Sequence, residues 1–183
     1  MPECEPDVYE RLLVELKAEF PRFKVIEKAD NPFQKFIHNF LRVVTFGKMN
    51  DYIEGYFTTL GQRIYVPPRW QTRSAEDRYI VMCHERIHMR QFRKFTWPGM
   101  ALLYLLVPLP MGLAYFRARF EREAYAETIR ASVEIYDLDY VKQDWFRDHI
   151  LKQFYSASYG WMWPFKKSMN RWYEEQIRLH SAP

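Results

Sequence analysis

His84-Glu85-Arg86-Ile87-His88 places two imidazoles four residues apart, with a carboxylate next to the first. In a helix, positions four apart lie one above the other on the same face, so both rings can reach one metal ion. Neutral imidazole nitrogen is a good zinc ligand, with bonds of about 2.0–2.1 Å. Glu85 is adjacent in sequence to the first ring, and its carboxylate can reach a water on the metal without being a ligand. That is the position of a general base. The plainer alternative is an exposed helix with two unrelated histidines and a Glu–Arg surface pair. The helical setting of the motif argues against it.

A catalytic zinc site takes three protein ligands and keeps one position open. The next histidine is His149, too distant for an H-E-x-x-H-x-x-G-x-x-H arrangement. The next carboxylates in the chain lie in FEREAYAE, Phe120 to Glu127. Glu121 and Ala124 are three apart and share a helical face, where small Ala124 lets another helix approach closely. Glu123 points to nearly the opposite side and has Arg119 four residues earlier as a partner. Glu121 is therefore the expected third ligand, with Glu123 as the alternative.

His84, Glu85 and His88 followed by Glu121-x-x-Ala124 resemble the zinc site of gluzincin metallopeptidases. The likeness is to compact bacterial, minigluzincin-like members, in which a hairpin edge precedes the active-site helix and a second helix brings the Glu. GYFTTLGQRIYVP, HERIH and FEREAYAE occur in that order, over about residues 54–130. Many gluzincins carry Asp four residues after the ligand Glu, and this chain has Tyr125 there. The carboxylate that supports a ligand histidine in the family thus has no counterpart at that position, and losing such a partner weakens metal binding by roughly tenfold or more.

The resemblance implies a zincin-like α+β fold, Zn2+ as cofactor, and a peptide or protein substrate. It implies hydrolysis in which Glu85 takes a proton from the attacking water and returns it to the leaving amine. A second oxyanion donor is also implied, and His149, Tyr155 and Tyr159 are candidates because they come after the Glu-bearing helix. By the same analogy, the strand from Gln62 to Val66 pairs with an extended substrate backbone. The competing reading, motivated by Tyr125, is a zinc-binding protein of little activity acting as a binding or membrane-associated module.

The elements that must position these residues are legible in outline. Tyr9, Leu12, Leu13, Leu16 and Phe20 recur at helical spacing before Pro21. Phe23 to Lys28 reads as a short strand. Asn31 and Pro32 open a second helix that includes His38. Glu54 to Pro68 reads as a β-hairpin turning at Leu60-Gly61-Gln62. Ser74 with Asp77 three residues on resembles a capping box for a helix running to about Lys94. Further helices are expected over 117–136, 140–155 and 166–180. The sum is a helix-rich α+β chain with a small antiparallel sheet, read as one domain over 1–183 with its core at about 54–136 and a helical extension over 137–183. Cys83 and the tryptophans at 161, 163 and 172 read as core.

Composition narrows the remaining possibilities. Residues that are 48% hydrophobic and 18% aromatic exclude a disordered tail, a collagen-like repeat and a coiled-coil rod. Net charge is +4, yet no run of five basic residues occurs, so a solvated face is expected and nucleic acid is not an expected partner. Two cysteines and an acidic N-terminus without an apolar segment point to the cytoplasm. Trp97 to Phe116 are 20 residues without a charge, enough by length to span a bilayer. A single straight span would hold Glu121 about 30 Å from His88, where the two share no metal. Two short segments folding back around Pro108-Leu109-Pro110 are expected instead, buried or in peripheral contact with a membrane.

Overall fold

A computed structural model of the chain describes residues 7–30, 32, 35, 56–105, 115–155, 162, 163 and 165–181. The helix expected from Asn31, with His38, lies outside these residues apart from two isolated positions, and so does Tyr159. The chain divides into two compact units, 1–79 and 80–183.

The first unit opens with helix α1 (Val8–Glu19), capped by Asp7, whose carboxylate accepts the Glu10 N–H at 2.8 Å. Its predicted stripe buries Tyr9, Leu12, Leu16 and, just past its end, Phe20. Strand β1 (Lys24–Glu27) comes next, then β2 (Thr58–Leu60) and β3 (Arg63–Val66). Strands β2 and β3 form the expected hairpin. Leu60 faces Arg63 across a two-residue turn, and Gly61 supplies the positive φ of 63° that the first turn position requires. The Tyr9 hydroxyl accepts the Trp70 indole N–H at 3.2 Å, and the Arg78 guanidinium lies 4.3 Å above the Tyr9 ring.

Strand β1 pairs in parallel with β3, from Lys24 opposite Arg63 to Glu27 opposite Val66. The sheet order is therefore β1-β3-β2. This corrects one expectation. Both sides of β3 are already hydrogen-bonded, so the strand around Gln62 to Val66 has no edge on which to pair a substrate backbone. The parallel partner lies far upstream in the chain, and local residue alternation carries no information about such a pairing.

Helix α2 (Ala75–Leu105) begins at Ser74, whose hydroxyl accepts the Asp77 N–H at 3.1 Å. It is interrupted at Thr96, with φ 60° and ψ 166°, close to the expected stop near Lys94. The second unit continues with α3 (Tyr115–Ile135), α4 (Leu138–Val141), α5 (Asp144–Tyr155) and α6 (Lys166–Ser181). The single helix expected over 140–155 is two. Asp137 caps α4 from an earlier start, and the Gln143 carbonyl begins a new turn by accepting the N–H groups of Phe146 and Arg147. Ile129, Phe146, Ile150, Phe154, Met169 and Trp172 form the heart of the second unit's core. The Tyr173 hydroxyl donates to the Val141 carbonyl at 2.5 Å, fastening α6 to α4. Cys83 is buried, as expected of a small core residue.

The architecture is thus helix-rich α+β with one small mixed sheet. Among the described residues no helix is long and apolar enough to cross a membrane.

Candidate metal centre

Two helices of the second unit build the site. Helix α2 carries His84, Glu85 and His88, and α3 carries Glu121. Helical periodicity stacks the two imidazoles, with His84 Nε2 and His88 Nε2 3.2 Å apart. The Glu121 carboxylate closes a triangle, its Oε2 lying 3.7 Å from each Nε2. These three residues offer ligand atoms close enough together to hold one metal ion. Ala124, one turn from Glu121, is fully buried.

The outward nitrogens of both rings are also held. His84 Nδ1 is 3.0 Å from Thr128 Oγ1, and the Thr128 hydroxyl donates to the Ala124 carbonyl at 3.3 Å. With that proton spent, Thr128 oxygen accepts from His84 Nδ1–H, which leaves Nε2 as the metal-facing nitrogen. His88 Nδ1 lies 2.9 Å from Gln91 Oε1. The Tyr125 ring packs edge-on against His84 with centroids 4.6 Å apart. Residue 125 therefore walls the His84 ring, and a hydroxyl one turn below supplies the hydrogen bond.

Burial governs the electrostatics. It pushes His84 down to about 3, with neighbouring His88 adding to the effect and Glu121 opposing it. His84 is therefore neutral at pH 7, the form that binds a metal. Burial also acts to lower His88, but the Glu121 and Glu85 carboxylates and the Gln91 oxygen outweigh it and raise this ring above its ordinary value. Glu85 is buried, 6% exposed.

The structure brings together three of the residues singled out from sequence, with Glu85 on the same helix turn as His84. It separates Glu123 from them. That side chain is half-exposed, 3.7 Å from Arg119 Nε through one oxygen, and accepts from Gln91 Nε2 at 3.0 Å through the other. His149 is exposed on α5, and Tyr155 lies beneath the Lys166 ammonium at 4.9 Å. Thr128 and Gln91 are what sequence reasoning missed. The available signal was spacing, since Gln91 is one turn beyond His88 and Thr128 is two turns beyond Glu121.

Glu121 meets His84 and His88 directly, so the residues flanking the uncharged run come together. A straight span across a bilayer is incompatible with this contact. Comparison of the chain with protein-family models, with curated proteins and with solved structures finds no match.

Proposed function

We propose that the chain is a zinc-dependent metallopeptidase of gluzincin type, with His84, His88 and Glu121 as ligands and Glu85 as general base. The observation that carries this reading is the triangle of two Nε2 atoms and one carboxylate oxygen, with edges of 3.2, 3.7 and 3.7 Å. A tetrahedral zinc with bonds of about 2.0–2.1 Å needs ligand–ligand edges of about 3.4 Å, so the donor set and its spacing fit that ion. Two nitrogens and one oxygen also match the ligand type of hydrolytic zinc sites.

A zinc ion held by His84, His88 and Glu121 would supply Lewis-acid chemistry, acidifying water and polarising a peptide carbonyl. The protein supplies the rest. Glu85 accepts the proton of the attacking water on a carboxylate oxygen and delivers it to the leaving amine. Thr128 and Gln91 fix the ring orientations, and burial keeps His84 unprotonated. His149, Tyr155 or Tyr159 is proposed as a second donor to the oxyanion.

The test is the metal content of full-length protein purified without a histidine tag, beside His84→Ala and Glu121→Ala. Near-stoichiometric zinc in the parent, sharply reduced in both variants, supports the site, and no zinc in the parent after addition overturns it. Glu85→Gln is expected to keep zinc and lose hydrolysis by a hundredfold or more, as roughly 10²–10⁴ is the usual contribution of a general base. Full hydrolysis by that variant would remove Glu85 from the mechanism.

One observation favours a second reading, a zinc-binding protein with little turnover. The Nδ1 atoms of both histidines meet neutral groups, the Thr128 hydroxyl and the Gln91 amide oxygen. Stoichiometric zinc with no cleavage across a broad peptide library would select it.

A further inference from the structure

The start of α3 and the residues just before α6 bring four aromatic rings together at the edge of the core, against which Trp163 packs. Tyr115 is 5.6 Å from Phe116 and 5.9 Å from Trp163, and Trp163 is 5.2 Å from Phe165, centroid to centroid. Three of them face water: Tyr115 is 48% exposed, Phe116 40% and Phe165 59%. Lys166 and Lys167 come directly after Phe165, and both are exposed. A cavity of about 380 Å³ beside the cluster is lined by Tyr115, Trp163, Arg119 and Arg122. The one carboxylate on that wall, Glu123, is already engaged by Arg119 and Gln91. The patch is therefore aromatic with a cationic margin. In sequence, the 20-residue uncharged run ends in this cluster at Phe116.

We propose that this patch is the protein's contact with an anionic lipid surface. Exposed Tyr115 suits the headgroup level of a bilayer, where a tyrosine ring is partly apolar and its hydroxyl stays wet. Exposed Phe116 and Phe165 add apolar area that the acyl boundary buries, and Lys166 and Lys167 meet lipid phosphates. Charge favours the lipid over a second copy of this chain, since a self-complementary contact that brought the two lysine pairs together would set like charges side by side. The contact is peripheral and independent of the metal reading.

The experiment is co-sedimentation of full-length protein with vesicles of phosphatidylcholine alone and with phosphatidylglycerol added. Binding to the anionic vesicles, weak binding to the neutral ones and release by salt are expected. Removing each lysine, in Lys166→Ala and Lys167→Ala, should weaken partitioning about fivefold, from roughly 1 kcal/mol per cation near such a surface. Phe116→Ala and Phe165→Ala should each weaken it roughly three- to tenfold, for rings whose remaining exposed area enters the interface. All four side chains are exposed, so the variants are expected to fold, and circular dichroism checks this. No binding to anionic vesicles, or equal binding by all four variants, overturns the proposal. So does a dimer in analytical ultracentrifugation that Phe165→Ala dissolves, which assigns the patch to a second copy.

Discussion

Gln91 holds more of the site than its position one turn past His88 implies. It is 4% exposed, and its amide nitrogen donates to the Phe120 carbonyl at 3.1 Å and to Glu123 at 3.0 Å. Those two bonds orient the amide so that Oε1 accepts from His88 Nδ1–H, leaving Nε2 for a metal. Since Phe120 immediately precedes Glu121, the same side chain sets the height of the carboxylate against the histidines. Gln91→Leu is therefore expected to weaken zinc binding about 10–100-fold, the usual cost of removing a partner behind a ligand histidine. Competition with a chromophoric chelator measures it, and affinity within twofold of the parent would refute the role. Glu123→Ala should retain zinc at full stoichiometry, and Glu121→Ala should not. The motif residues themselves were legible because i, i+4 stacking is a property of any helix. The functions of Gln91 and Thr128 were not, because each depends on what the facing helix presents.

At the scale of elements, α2 carries strain where it breaks. A β-branched residue at φ 60° and ψ 166° occupies a region open almost only to glycine, at a cost of roughly 1–3 kcal/mol. Thr96→Gly is expected to raise unfolding stability by about 1 kcal/mol after the entropy cost of glycine is deducted, read from the urea midpoint. No gain would mean that the backbone at 96 is not strained in solution. The junction of α6 with α4 gives a pH dependence. Burial, only partly offset by Arg147, pushes the Tyr173 hydroxyl above its ordinary value of 10.0. A group whose folded value is raised contributes stability that is complete below about pH 10 and is lost as pH climbs through the folded value. Tyr173→Phe should cost about 1 kcal/mol at neutral pH, from the bond to Val141. It should also show a shallower loss of stability above pH 10 in denaturant titrations. A slope matching the parent's would remove Tyr173 as the cause. Apolar spacing announced α1 and a capping residue announced α2, because both act within a turn or two of chain. The break at Lys142–Gln143 was invisible, since no proline or glycine marks it and backbone carbonyls make it.

For the whole molecule, the three proposed ligands lie in residues 80–183, and so do Thr128 and Gln91 behind the histidines. Zinc at about 100 times its dissociation constant should stabilise the fold that binds it by about 2.7 kcal/mol. Hydrogen exchange is the measurement that locates the effect. Added zinc should slow exchange in α2 around His84 and in α3 around Glu121, and a chelator should reverse it. Protection confined to the β1–β3 sheet would place the metal elsewhere. The division between what local sequence decides and what packing decides is visible here. Helices α1, α2 and α3, the hairpin turn at Gly61, the stacked His84 and His88 and the direction of Glu121 all follow from interactions within a turn or two of chain, which composition and spacing encode. The parallel seat of β3 between its neighbours, the engagement of Glu123 by Gln91 and the exposure of the Tyr115–Phe165 rings depend on segments distant in sequence. Their energies arise only once those segments pack, so only the tertiary structure determines them.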